Sequence, residues 1–121
     1  MTFKLVIAGS QLIDDYEIVK KAIAKAVKDG FVPSSFEVVS GGAIGVDSLA
    51  KAYASDRKLS YREFLPEYRS PKDKSAPLIR NQKMAVYGDA LLAIWDGKST
   101  GTKNMMGCME TLGKPVMTYQ P

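Results

Sequence analysis

The sequence predicts an α/β fold, a doubly wound sheet of five mainly parallel strands in the order 3-2-1-4-5 with helices on both faces. Three observations predict it. Short apolar runs with β-branched members alternate with stretches of helical period, which implies right-handed crossovers between parallel strands. Glycines follow three of those runs, at Gly9, Gly41-Gly42 and Gly97. In that strand order the loops after strands one, two and four meet at one crevice, where sheets of this kind hold their ligands. A single domain over residues 1–121 is expected from the length.

Phe3 to Ala8 is an apolar run bounded by Gly9-Ser10, a buried strand. Asp14 and Asp15 suit a helix start, and Ile18, Val19, Ala22, Ile23, Ala26 and Val27 form its apolar stripe. Lys20, Lys21, Lys25 and Lys28 fall largely off that stripe and read as a solvated face; Gly30 and Pro33 end the helix. Phe36 to Ser40 is the second strand. Val46 to about Arg57 is the second helix, with Val46, Leu49, Ala50, Tyr53 and Ala54 inward. Tyr61 to Leu65 reads as the third strand.

The polar, proline-punctuated stretch from Pro66 to Pro77 is long for a connection in a small domain, and so is either functional or mobile. Its Arg69, Lys72 and Lys74 could close over a phosphate. Pro77 opens a helix to about Tyr87, with Arg80 and Asn81 in its first turn; Gly88-Asp89 break it, and Ala90 to Trp95 is the fourth strand. Gly101-Thr102 begin a fourth helix, ended by Gly113, whose inner face is Met105, Met106, Met109 and Leu112. A methionine stripe at that spacing reads as core. Pro115 to Tyr119 is a short last strand, edge-tolerant because of its proline.

Composition narrows the chemistry. Hydrophobic residues make up 45% and charged residues 25%, an ordinary globular balance. No apolar run spans a bilayer and no signal-peptide pattern opens the chain, so a cytoplasmic protein without membrane association is expected. The lone Cys108 excludes an internal disulfide and a Cys-x-x-Cys pair, and is expected on a buried helix face. The sequence contains no histidine, which removes the usual general base, zinc ligand and triad partner; no metal site is expected. Chemistry would rest on carboxylates, hydroxyls, lysines or bound substrate. A net charge of +4 suits an anionic ligand of any size.

The glycine loops point to such a ligand. Gly41-Gly42-Ala43-Ile44-Gly45 departs from Gly-x-Gly-x-x-Gly, and Gly97-Lys98-Ser99-Thr100-Gly101-Thr102-Lys103 has the wrong spacing for a Walker A loop. Both nonetheless lead from a strand into a helix N-terminus, where free N–H groups and the dipole favour an anion. Either loop alone needs glycine only for its turn; with Gly9-Ser10-Gln11 they make a site. Arg80 is the best phosphate partner because a guanidinium is a fixed bidentate fork, the bland alternative being a surface pair with Asp89 or Glu110. Asp47 at a helix N-terminus is stabilising by itself, by about 0.3–1 kcal/mol, and would repel a phosphate there; a functional Asp47 would instead accept from ribose hydroxyls, with the phosphate on the other loop. Asp96 has the same ambiguity. Trp95 at a strand end could stack on a base or belong to the core.

These residues together resemble the SLOG superfamily, named for its SMF/DprA and LOG members, and especially its YspA/cpYpsA-related branch. The resemblance runs along nearly the whole chain. It rests on Gly9-Ser10, on Ser40-Gly41-Gly42-Ala43-x-Gly45-Val46-Asp47-x-Leu49-Ala50, on Arg80-Asn81-x-x-Met84, on Asp89-Ala90, and on Asp96-Gly97-Lys98-Ser99-x-Gly101-Thr102. It implies a Rossmann-like sheet that binds nucleotides or nucleotide-derived ligands, often as small homo-oligomers, in bacterial and phage proteins. The implied ligand-binding set is Gly9, Ser10, Gln11, Gly41, Gly42, Gly45, Asp47, Arg80, Asn81, Asp96, Gly97, Ser99, Gly101 and Thr102.

The resemblance also implies two alternatives to a sensor, carrier or sequestering protein. LOG enzymes are phosphoribohydrolases whose Pro-Gly-Gly-x-Gly-Thr-x-x-Glu loop ends in a catalytic glutamate; here that position is Met105, which cannot take a proton. A hydrolase or transferase acting at an N-glycosidic bond would have to use Asp47 or Asp96. In the first loop, the arginine frequent in this branch is replaced by Gln11. The DprA branch implies single-stranded DNA binding, which the charge permits, although no aromatic ladder interleaves with basic residues.

Overall fold

Alternation along the first strand, β1 (Lys4–Gly9), sets the architecture of this computed structural model, which describes residues 2–121. Leu5 and Ile7 join one buried cluster and Val6 and Ala8 another, so the strand is apolar on both faces. Helices α1 (Tyr16–Lys28) and α2 (Val46–Asp56) cover the first face through Val19, Ile23, Ala50 and Tyr53. Helices α3 (Ala76–Tyr87) and α4 (Thr100–Thr111) cover the second through Met84, Ala85, Met105 and Met109. Between these layers lie β2 (Glu37–Ser40), β3 (Tyr61–Glu63), β4 (Ala90–Ile94) and β5 (Val116–Tyr119).

The strand order is β3-β2-β1-β4-β5, as the sequence predicts, and all four pairings are parallel. Crossing from β1 to β2 moves one way along the sheet, and returning to β4 moves the other. The order therefore reverses between β2, β1 and β4, and the carboxyl ends of these strands carry the three glycine-bearing loops. Interior strand β4 is buried at every residue, whereas the edge strands are short and partly exposed.

Several element boundaries differ from the sequence expectation. The third strand stops at Glu63 because β2 ends opposite it, leaving Phe64 half-buried and Leu65 exposed. Trp95 lies beyond β4, and its indole Nε1 donates to the Ser99 carbonyl at 3.0 Å. Helix α3 starts at Ala76, one residue earlier than expected, which places Arg80 in its second turn. On α4 the inner residues are Thr102, Met105 and Met109; Met106 and Cys108 are half-buried, and Leu112 is an exposed C-cap. The lysine face of α1 is solvated, with Lys20 paired to Glu17 and Lys25 to Asp29. Among the described residues no helix is long and apolar enough to cross a membrane.

Candidate functional site

The loops at the reversal point enclose a cavity of about 530 Å³. Gly9 at the end of β1 and Ser10 and Gln11 after it line the cavity, with Ala43 from the β2–α2 connection, Asp47 from the first turn of α2, Arg80 and Asn81 from α3, and Asp96 with Lys98 to Thr102 before and within α4. Buried Met84 and Met105 supply apolar wall.

Buried Ser10 ties two of these loops together. Its Oγ accepts from the Leu12 N–H at 3.1 Å, and its carbonyl accepts from the Val46 N–H at 3.3 Å. Gly45 closes the second loop against the first with φ +76°, and a Cβ there would lie 2.5 Å from the Ser10 carbonyl oxygen. Gly9 is held equally tightly, because an added Cβ would overlap the Ile94 carbonyl oxygen and the Val46 side chain. Gly41 and Gly42 make room for the Arg80 guanidinium and for Leu65 and Glu63. Gly9 and Gly101 line the cavity, whereas Gly41, Gly42, Gly45 and Gly97 do not.

Arg80 is anchored by the protein rather than paired at the surface. Nη1 donates to the Gly41 carbonyl at 2.6 Å and the Phe64 carbonyl at 3.4 Å, and Nε donates to Asn81 Oδ1 at 2.9 Å. Neither Asp89 nor Glu110 pairs with it; Asp89 instead accepts from the Lys4 N–H at 2.8 Å. Among the described residues Nη2 has no hydrogen-bond partner, so the guanidinium keeps donors for something else. Buried Asn81 links it to α4 by donating to Asn104 Oδ1 at 3.0 Å and the Gly101 carbonyl at 3.4 Å.

The α4 entrance is built for its own stability and still leaves donors free. Asp96 Oδ1 accepts from the N–H groups of Lys98 at 2.8 Å and Ser99 at 2.9 Å, and these bonds hold its pKa below the usual carboxylate value. Ser99 caps the helix by accepting from the Thr102 N–H at 3.3 Å. The next two residues, Thr100 and Gly101, line the cavity, and their N–H groups have no partner among the described residues.

Asp47 carries the perturbed proton. It is 8% exposed, and Oδ2 accepts from the Ala43 N–H at 3.1 Å, so this oxygen serves the loop before any ligand arrives. Desolvation pushes its pKa up to about 6, against the opposing pull of the Ala43 N–H and the Arg80 charge. The native state therefore holds this proton more tightly than the unfolded chain between about pH 4 and pH 6. Stability from Asp47 is complete below pH 4 and is lost as pH rises through about 6. We expect urea unfolding to show a fall of about 2–3 kcal/mol over that window, flattened in Asp47→Asn. An equal slope in the variant would remove the assignment.

The cavity lining that sequence reasoning did not assign to a site includes two exposed leucines, Leu12, which is 87% exposed, and Leu78 on the first turn of α3. The available signal was a leucine outside any helical stripe, directly after Gly9-Ser10-Gln11. The cations of the long loop are elsewhere: Arg69 donates to Asp73 from its backbone N–H and Nε, both at 3.2 Å, and neither it, Lys72 nor Lys74 lines the cavity. Trp95 does not line it either.

Solved structures share this fold. DNA processing protein A (DprA) from Streptococcus pneumoniae superposes with a TM-score of 0.75 at 16% identity, over 97% of this chain and 50% of that one. DprA from Helicobacter pylori, described by its single-stranded DNA binding mode, gives 0.69 at 20% identity over 96% and 64%. TM1055, a structural genomics target, gives 0.69 at 20% over 95% and 72%. The likeness at these identities is one of fold, and the chain spans about half the length of the S. pneumoniae protein. No curated protein matches the sequence. The family model of the YspA, cpYpsA-related SLOG family matches residues 3–70, from β1 past β3, and with that match over more than half of its length the chain belongs to this family.

Proposed function

We propose that this protein binds a nucleotide-type ligand in the crevice at the strand-order reversal, as one unit over its 121 residues and as a sensor, carrier or sequestering protein. The observation that supports this best is the meeting, across one cavity, of Arg80 with a free Nη2 and the unpartnered N–H groups of Thr100 and Gly101. These are the donors a phosphate needs, and the guanidinium is already fixed by backbone carbonyls, so little ordering opposes binding. Ser10, Gln11 and the second oxygen of Asp47 are left to read hydroxyls or a base, with Leu12 and Leu78 supplying apolar contact. Small homo-oligomers suit the family, but the crevice itself is built within one chain.

The test is gentle purification followed by denaturing mass spectrometry, then a thermal-shift panel of mononucleotides and dinucleotides. We expect a nucleotide-like species to travel with the protein. A matching ligand at about 100 times its dissociation constant should add about 2.7 kcal/mol of stability. No copurified species together with no shift across the panel would overturn the reading.

A second reading draws on Asp47, whose raised pKa near 6 is what a general acid at an N-glycosidic bond requires. Asp96, held ionised by its N–H partners, is unsuited to that role. Recovery of a free base together with a ribose phosphate would favour this reading, despite Met105 at the position of the family glutamate. The single-stranded DNA binding described for H. pylori DprA supports a third, which binding that vanishes by physiological salt would remove.

A further inference from the structure

Arg80 is the wall between two cavities. A second space, of about 630 Å³, lies beyond the end of β3, and among the described residues Arg80 alone lines both. Each has the size of a small-molecule site on its own. Their chemistry differs. The first offers hydroxyls, a buried carboxylate and helix N–H groups. The second presents Leu65, Tyr68 and Ile79, which are 62%, 58% and 43% exposed, beside the cations Arg62, Arg69 and Lys83 and the carboxylates Glu63 and Glu67. The cations therefore outnumber the acids there even before Arg80 is counted.

A mononucleotide held by Arg80 would occupy the first cavity and leave the second uncovered. Exposed apolar and aromatic side chains beside cations are the surface on which a base stacks while its phosphate is neutralised. Lys83 makes no ion pair among the described residues, whereas Arg69 is held by Asp73. We infer that the ligand is two-armed: two nucleosides joined through phosphate, with the linking phosphate at Arg80, one arm in the crevice and the other against Leu65, Tyr68 and Ile79. This rests on the nucleotide reading of the first cavity. The required chemistry is shared by a free dinucleotide and by two adjacent residues of a single strand.

Isothermal titration with four probes tests it: AMP, the pyrophosphate-linked diadenosine dinucleotide, the 5′-phosphorylated dinucleotide pApA, and a twelve-residue oligo(dA). At least one dinucleotide is expected to bind tenfold or more tightly than AMP. Ile79→Asp and Tyr68→Ala, both changes at exposed positions, are expected to bring the dinucleotide-to-AMP affinity ratio close to one. A dinucleotide no tighter than AMP, or a ratio unmoved in both variants, overturns the two-armed ligand while leaving AMP binding as support for the crevice. Binding of none of the four probes overturns both. Affinity that stops rising at two nucleotides identifies a free dinucleotide, and a further rise with the twelve-mer identifies a strand.

Discussion

Gly45→Ala is expected to cost about 3 kcal/mol or more, the largest stability loss from any single methyl group in the site. Two effects add at this position. The residue has φ +76° and ψ −131°, an extended positive-φ conformation that is essentially glycine-only and costs an L side chain on the order of 1–3 kcal/mol. The new Cβ would also lie 2.5 Å from the Ser10 carbonyl oxygen and 2.6 Å from Gln11 Cα, both backbone atoms that no rotamer change can move. Relief requires the loop before α2 to move off the loop after β1, which breaks the 3.3 Å bond from the Val46 N–H to Ser10. Urea unfolding measures the loss, and nucleotide affinity should fall with it because two walls of the cavity separate. Gly97→Ala is the control: it also has positive φ, but an added Cβ meets nothing within 4 Å, so only the conformational cost applies. Equal losses at both positions would show that close approach contributes nothing at Gly45.

Arg80→Ala should weaken nucleotide binding at least tenfold, about 1.4 kcal/mol or more of binding free energy. The side chain does two jobs, so the measurement must separate them. Its removal leaves the Gly41 and Phe64 carbonyls without their guanidinium donor, which lowers stability even when no ligand is present. Arg80→Lys retains the charge but not the fork, and a single ammonium cannot bridge those carbonyls and a phosphate in the same way. We expect the lysine variant to fall between wild type and alanine in affinity. An alanine variant that folds and binds as wild type would exclude Arg80 from the site. The phosphate would then be assigned to the α4 entrance alone.

Much of the fold is legible in the sequence because strand and helix periods differ. The run Leu5-Val6-Ile7-Ala8 is apolar at every position, which a strand buried on both faces demands, and the spacing of Val19, Ala22, Ile23 and Ala26 fits only a helix. Strand order followed from where the glycines fall. Boundaries were less legible. Leu65 and Leu112 satisfy the local pattern yet end up exposed, because the partner strand or helix turn that would cover them stops first.

The site divides in the same way. Gly9, Ser10, Asp47, Arg80 and the Ser99 to Thr102 helix entrance could be named from residue type and from the turns they occupy. What each does could not. Whether Arg80 pairs with Asp89 or reaches Gly41 and Phe64 depends on how α3 lies against β2 and β3, a contact between residues 39 positions apart in the case of Gly41. The loop glycines could equally have been needed for a ligand or for the chain itself, and at Gly41, Gly42 and Gly45 close approaches within the chain are by themselves enough to require glycine. Asp47 shows only a carboxylate in the sequence; its pKa is pushed up to about 6 because packing removes water from around it. The sequence by itself determined which elements form, their order in the sheet and the end at which the loops gather, since these follow from local period and turn chemistry. Only the tertiary structure decided which donors stay free, which carboxylate has its pKa raised and that Arg80 stands between two cavities. Those properties depend on distances between segments far apart in the chain, which no local pattern encodes.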